Sequence, residues 1–377
     1  MAQDILSQIR AGGAVGYDRV LVGGDLDLSL LGPGDFRVKS LCITNSSLGG
    51  MVFLENLTVD GPVDFRETEF QKDSFFRGCR FQEAEFPHTI FRGYADFSSC
   101  TFQSPANYVQ AAFDGDTDFS YSQFSRDVNF NFAQFNTDFV YFDGTTFLGN
   151  ASFKGIRFGK YVYFSAARFE KAADFLFADF DGNCLFSDVR FLGDVNLESV
   201  QFKGYAIFGN THFQGELLLA GASINNMMMP GVTFGEQSRI YLNNSDVHRL
   251  LASWSDIRDH LVFQGAVYLA LVENYKDVGW FQDADECYYQ YRRLAQEEKA
   301  WGWSRLFDLL AWVSCGYGVR PGYTVAWSLL LILLCGAVFF AGRGIRPSSR
   351  SEEPPQNLDR HEATDASGYA PEPDRPS

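Results

Sequence analysis

Phenylalanine recurs at fixed steps along most of this chain, and neither an amphipathic helix nor an open-sheet strand accommodates that spacing. From Phe86 the marks are Phe91, Phe97, Phe102, Tyr108, Phe113, Phe119, Phe124, Phe130 and Phe135, at alternating steps of five and six. After a slip around Tyr141 and Phe142 they resume at Phe147, Phe153, Phe158, Phe164, Phe169, Phe175, Phe180, Phe186 and Phe191. Leu197, Phe202, Phe208, Phe213, Leu219 and Ile224 continue the series, and Phe65, Phe70, Phe76 and Phe81 precede it. A helix needs apolar steps of three and four; an open strand needs strict alternation. Two-residue strands joined by tight corners fit the spacing, because each corner returns the next mark to the inside.

A small residue often sits two before the mark, as in Ala95-Asp96-Phe97, Ala151-Ser152-Phe153 and Ala173-Asp174-Phe175. It faces inward with little bulk. The polar residue between them faces solvent or bonds to a corner amide. Four marks make one square coil of about 22 residues, with coils about 4.8 Å apart. Phe119 then stacks on Phe97, and Phe164 rejoins their ladder if the slip is absorbed as a bulged corner. A triangular coil would instead bring Phe113 near Phe97. Each coil buries about four large side chains, worth roughly 1.5–3 kcal/mol each, which outweighs corner strain only when coils stack.

This pattern resembles the pentapeptide-repeat family over roughly Phe65 to Ile224. The resemblance implies a right-handed quadrilateral β-helix. The chain departs from the family in carrying a sixth residue in alternate units and Phe where Leu is commoner.

Val20 to Val63 reads as irregular early coils, with Leu26, Leu28, Leu41 and Ile43 inward and turns at Gly32-Pro33-Gly34 and Gly49-Gly50. Asp4 is expected to cap a short helix through Ile5, Leu6 and Ile9, stopped by Gly12 and Gly13, that lids the first coil. Ile240 and Leu242 mark a last coil. Met227–Met229 reads as gap filling rather than a soft-metal site, since neighbours on a strand face opposite ways. His88, His212, His248 and His260 have no partner at ligand spacing, and there is no GxSxG, P-loop or HExxH. The reading is not an enzyme: no catalytic, cofactor-binding or metal residue is expected. Seven Cys without a CxxC fit free thiols, and a net charge of -16 disfavours nucleic acid as a partner.

Beyond Arg249 the pattern turns helical. Val267, Leu271, Val272 and Tyr275 lead to a break at Gly279, and Ala284, Tyr288, Tyr291 and Leu294 mark a second helix. The order Tyr268, Leu271, Tyr275, Gly279, Ala284, Tyr288 resembles one tetratricopeptide unit. Arg292, Arg293, Glu297, Glu298 and Lys299 are expected on exposed positions. Such a hairpin must pack on a neighbour: it caps the solenoid, mediates self-association or binds a peptide. Trp301, Trp303, Leu306, Phe307, Leu310 and Trp312 read as an interfacial helix, or else a buried soluble one. Pro321 to Gly342 has no charge and reaches about 33 Å as a helix, enough to span a bilayer. Trp301, Trp303, Trp312, Arg320 and Arg343 are the expected membrane-interface residues. The absence of a signal-like start predicts a single-pass inner-membrane protein with a cytoplasmic rod.

The expected order is a helical cap (1–17), a β-helix (18–247), a helical hairpin (248–300), an interfacial segment (301–320), a transmembrane helix (321–342) and a disordered polar tail (343–377). The core ladder is predicted from Phe97, Phe102, Phe113, Phe119, Phe124, Phe130, Phe135, Phe153, Phe158, Phe164, Phe169, Phe175 and Phe180. Ala284–Arg293, Cys315–Pro321 and the span resemble the join region of pentapeptide-repeat potassium-channel-like proteins. Gly316-Tyr317-Gly318 precedes the lone span, so it reads as a helix-ending turn rather than a selectivity filter. Three functions are carried forward: a membrane-anchored scaffold that binds unidentified proteins, a pore-less channel relative working as a homo-oligomer or with channel subunits, and a DNA-mimicking topoisomerase inhibitor.

Overall fold

The computed structural model describes residues 1–32 and 34–342. Pro33 of the expected early turn, Arg343 and the tail lie outside the described residues. Met1–Arg320 and the part from Pro321 onward are separate compact units, taken here in turn.

The first unit is a β-solenoid of about 11 turns built from parallel sheets, followed by helices. One coil shows the plan. Thr101–Phe102, Ala106–Asn107, Ala112–Phe113 and Thr117–Asp118 form its four faces, first to fourth. Each strand pairs in parallel with the next coil: Phe102 with Phe124, Ala106 with Val128, Phe113 with Phe135, Thr117 with Val140. Phe97 and Phe119 stack at 5.0 Å with planes 5° apart, so the coil has four faces rather than three.

Four ladders fill the interior. Phe97, Phe119 and Phe164 belong to one, joined through Phe142 at 5.1 and 4.8 Å. Tyr108, Phe130, Phe153 and Phe175 form the opposite one and meet the first edge to face, as Phe119 and Phe130 do at 5.3 Å. Phe113, Phe135, Phe158 and Phe180 make the third; Phe102, Phe124, Phe147 and Phe169 make the fourth. All are buried. Offset stacks and edge contacts suit the ring quadrupole and add to burial. The slip is absorbed between Phe135 and Val140. There the Thr137 hydroxyl and the Phe139 N–H (3.1 Å) both donate to one Asp116 carboxylate oxygen.

The two step lengths are two kinds of corner. In a five-residue step the carbonyl of the mark accepts the N–H three residues on, as Tyr108 does from Ala111 at 3.0 Å, and the residue between, Gln110, is left-handed with φ 55°. A small inward residue follows. Where it is Thr, Ser or Cys, it donates to a carbonyl one coil back: Thr89 to Phe65 at 2.8 Å, Ser122 to Phe97 at 2.6 Å, Cys79 to Leu54 at 2.8 Å. Buried polar groups are thereby satisfied. Several six-residue steps bring backbones close enough to need glycine: a Cβ on Gly149 would sit 2.3 Å from Arg126 backbone, although Ser104, Arg126 and Lys171 hold the same place in other coils.

Both ends are closed. Helix α1 (Ala2–Arg10) buries Ile5, Leu6 and Ile9 over the first coil. It starts earlier than expected: Asp4 lies in its first turn and pairs with the Met1 amine at 3.3 Å, so it is no cap. Strands continue to Leu250–Leu251, and α2 (Trp254–Ile257), α3 (Gly265–Asp277) and α4 (Phe281–Glu297) follow. Asn274 of α3 imitates a peptide group. Its Oδ1 accepts the Leu250 N–H and its Nδ2 donates to the Leu250 carbonyl, both at 2.9 Å. Tyr275 donates to the Ala252 carbonyl at 2.9 Å, and Trp254 is buried against Tyr268. The open strand edge is thus paired by side chains, which prevents edge-to-edge growth.

The helical region continues with α5 (Trp303–Cys315). The second unit begins with α6 (Pro321–Ala341), a 21-residue helix of mean hydropathy 2.4 with none of its apolar window buried. Length and composition make it one candidate membrane span.

Candidate interaction surfaces

The interior is filled with side chains, and the clefts on the rod are superficial ones, of about 610 Å³ beside Arg37, Asp60 and Arg80 and about 420 Å³ beside Lys203, Asp246 and His248. Among the described residues no cluster of His, Cys, Asp and Glu could hold a metal, and all seven cysteines are free. Burial pushes the Cys184 thiol well up, so it is inert. His212 contacts Thr233 and Gln214, and His260 contacts the Ser238 carbonyl. A cleft of about 170 Å³ between the Leu242–Val247 corner and α3 has Asn274 in its wall, and that amide is already spent on Leu250.

What varies is the outside. On the second face the outward residue before the mark is an amide or carboxylate at Asp64, Glu85, Asn107, Asn129, Asp174 and Asn196, with Ser152 among them and Leu218 and Tyr241 in the last coils. Most accept the N–H two residues on, from Arg66, Val109, Asn131, Leu176 and Glu198 at 2.9–3.1 Å. Met228 and Met229 illustrate the strand alternation: Met229 is buried and Met228 is partly exposed.

The fourth face lies opposite. Asp96 and Asp118 make the same local bond there, to the N–H groups of Ser98 and Ser120. From the next coil the row becomes Tyr141, Tyr163, Leu185, Ile207, Met228 and Leu251, in register. Tyr141 and Tyr163 stack outside at 5.2 Å, and Phe139 and Tyr161 stack beside them at 5.4 Å. Tyr205, farther along this flank, is 46% exposed. The sequence contained this row, but it is visible only once 22- and 23-residue spacings are laid in coils.

Many acids of the rod are engaged in its own structure. Asp73, Asp127 and Asp194 each accept a backbone N–H from the following coil at 2.7–2.9 Å. Arg92 bridges Glu69 and Asp114, both at 2.6 Å, and Arg77 reaches the fully buried Asp96 at 2.7 Å.

On α4 and the turn after it, Glu297, Glu298 and Lys299 are exposed as expected, and two residues differ. Arg292 and Arg293 are half-buried. Arg292 (2.8 Å) and Lys299 both pair with Asp308, which holds that carboxyl below its usual range; the Lys299 hydrogen bond is the largest cause. Trp312 lies under Arg293 and donates to the Tyr289 hydroxyl at 2.8 Å. Arg320 pairs with Glu286 at 2.7 Å, over the Tyr289 ring. Trp301 and Trp303 are exposed. Gly316-Tyr317-Gly318 ends α5 as a turn with three positive φ angles, and its Tyr317 hydroxyl donates to Gln296 at 2.5 Å.

The family model described as Pentapeptide repeats (9 copies) matches residues 54–101, 142–189 and 178–223. No curated protein and no solved structure matches the chain. The matched stretches all lie within the rod, and none reaches the helices after Leu251. Those stretches of the solenoid are therefore similar to pentapeptide repeats.

Proposed function

We propose that this chain is a non-catalytic, membrane-anchored scaffold that presents its β-helical rod to protein partners on the cytoplasmic side of the inner membrane. The observation that carries this reading is α6: an uncharged 21-residue helix, unburied, in a chain whose rod has no interior to offer a substrate. Helix α5 supports it. Its Asp308 and Trp312 turn to α4, while Trp303, Leu306, Phe307 and Leu310 are exposed along one stripe. That is the division expected of a helix resting at a headgroup layer. Imitation of DNA fits less well, because acids spent on backbone amides and arginines present no regular run of free charge.

Carbonate extraction of membranes tests the anchor. The full-length chain is expected in the pellet; its release to the soluble fraction sinks the reading. Protease treatment of sealed inverted vesicles tests the side: the rod should be digested while α6 is protected.

A further inference from the structure

From Tyr141 onward the fourth face lacks the local corner bond that Asp96 and Asp118 make in earlier coils. At the position before the mark, Asp or Asn closes a local bond to the corner amide, as Asn129 does at 2.9 Å. Six successive coils from Tyr141 place Tyr, Leu, Ile or Met there instead. These side chains cannot accept that bond, and they hold apolar surface in water. Nothing inside the coil requires the exchange, because the inward residues of the two faces are alike: Val140, Val162 and Ala206 on the fourth, Val128, Ala151 and Ala173 on the second.

We infer that the stripe from Tyr141 to Leu251 is the interface on which a second copy of this chain docks, the two rods side by side and parallel. The row itself carries no charge, so a second copy of it meets no repulsion there despite the net charge of -16 on each chain. Six rungs about 4.8 Å apart give a strip of about 25–30 Å, and two side chains across make its area on the order of 400 Å² per copy. That is about half of a standard interface and too little for a stable dimer in dilute solution. It becomes sufficient where both chains share one bilayer and the effective concentration is high, so the inference rests on the anchored reading. The shared bilayer also selects the symmetry. A twofold axis along the rods keeps both C-terminal ends together, and each rung then faces its own copy.

The test is disulfide trapping of the full-length chain in its membranes, with Cys42, Cys315 and Cys335 changed to Ser. Single cysteines are placed outward by Tyr163→Cys, Leu185→Cys and Ile207→Cys, with Ser152→Cys on the second face as control. Each stripe variant should give a band of twice the chain mass, and Ser152→Cys should not. Adding Ile207→Asp to Leu185→Cys should abolish the band, with limited proteolysis confirming that the rod is folded. No band at any stripe position, an equal band at Ser152→Cys, or a band containing a different protein overturns the pairing. Carbonate extraction of the same membranes scores the anchor separately. A soluble chain that still gives the stripe bands sinks the anchor and keeps the pairing.

Discussion

The second and fourth faces of the rod carry similar inward side chains, yet from Tyr141 to Leu185 the fourth-face outer row is Tyr, Tyr and Leu while the second face holds Ser152, Asp174 and Asn196, before Leu218 and Tyr241 turn the second face apolar too. On the second face the outer residue serves its own coil, closing the corner at Asn107, Asn129, Asp174 and Asn196. On the fourth face Asp96 and Asp118 do the same, but from Tyr141 onward the outer residue closes no such corner. The comparison separates two kinds of selection on one repeat. Inward positions answer to packing, where a methylene matters. Outward positions are free, and where they give up a stabilising bond in several successive coils the gain lies outside the chain.

The largest test of that division is a charge placed inside. Phe119→Asp removes a ring from the middle of its ladder and buries a carboxylate, and should cost more than about 5 kcal/mol. Circular dichroism should show lost β-structure, and limited proteolysis should open the coils around residue 119. If the rod tolerates it, the interior does not govern the fold. Tyr108→Phe works in the opposite direction. The Tyr108 hydroxyl is fully buried and has no partner. Its removal should stabilise the chain by about 1–2 kcal/mol, read as a higher urea midpoint.

The outer rows give smaller effects of opposite sign. Asn129→Ala should cost about 1 kcal/mol through the lost bond to the Asn131 amide. Leu185→Asn on the fourth face installs the same acceptor two residues before Ser187 and should gain about 0.5 kcal/mol in detergent solution, while weakening any pairing of rods. Equal losses at both sites would mean that the two faces do not differ in the way argued here.

How much of this was legible before the structure follows from what each residue answers to. The marks were legible because burial forces them: Phe97, Phe119 and Phe164 were placed in one ladder from spacing alone, across the slip. The Asx bonds were half legible. The polar residue before a mark was expected to face solvent or bond to a corner amide, and Asp118 does the second, accepting the Ser120 N–H at 2.7 Å. The Asn274 cap was not legible, because it joins residues 24 apart across a helix whose packing the sequence leaves open. The Arg292–Asp308–Lys299 cluster was hidden for the same reason: the charge pattern read as a solvated face, and only the docking of α5 turned it inward. The apolar stripe was missed because its signal is a row one coil apart, invisible in any short window.

The smallest expected effect concerns the one carboxylate of the second face that burial disfavours. Glu85 is partly buried, and desolvation raises its pKa above the usual 4.5. The Asn107 amide, at 2.8 Å, works against that shift, and the nearby Asp64 and Glu83 work with it. A folded pKa above the unfolded one means that the folded chain binds the proton more tightly. Stability associated with Glu85 is therefore fully present below 4.5 and is lost as pH rises through the raised folded value. Glu85→Gln keeps a neutral side chain at every pH, and its carbonyl can still accept from Asn107. The variant should match the natural chain at pH 4 and exceed it at pH 7, by less than about 0.5 kcal/mol because the site is only partly shielded from solvent. Only the difference between the two chains is informative, since Asp18, Asp60 and Asp308 have depressed values and lose their own contribution in acid. Urea midpoints at the two pH values decide it. A difference that stays constant with pH would assign the effect to packing, and one of opposite sign would mean that the ionised Glu85 stabilises the polar row.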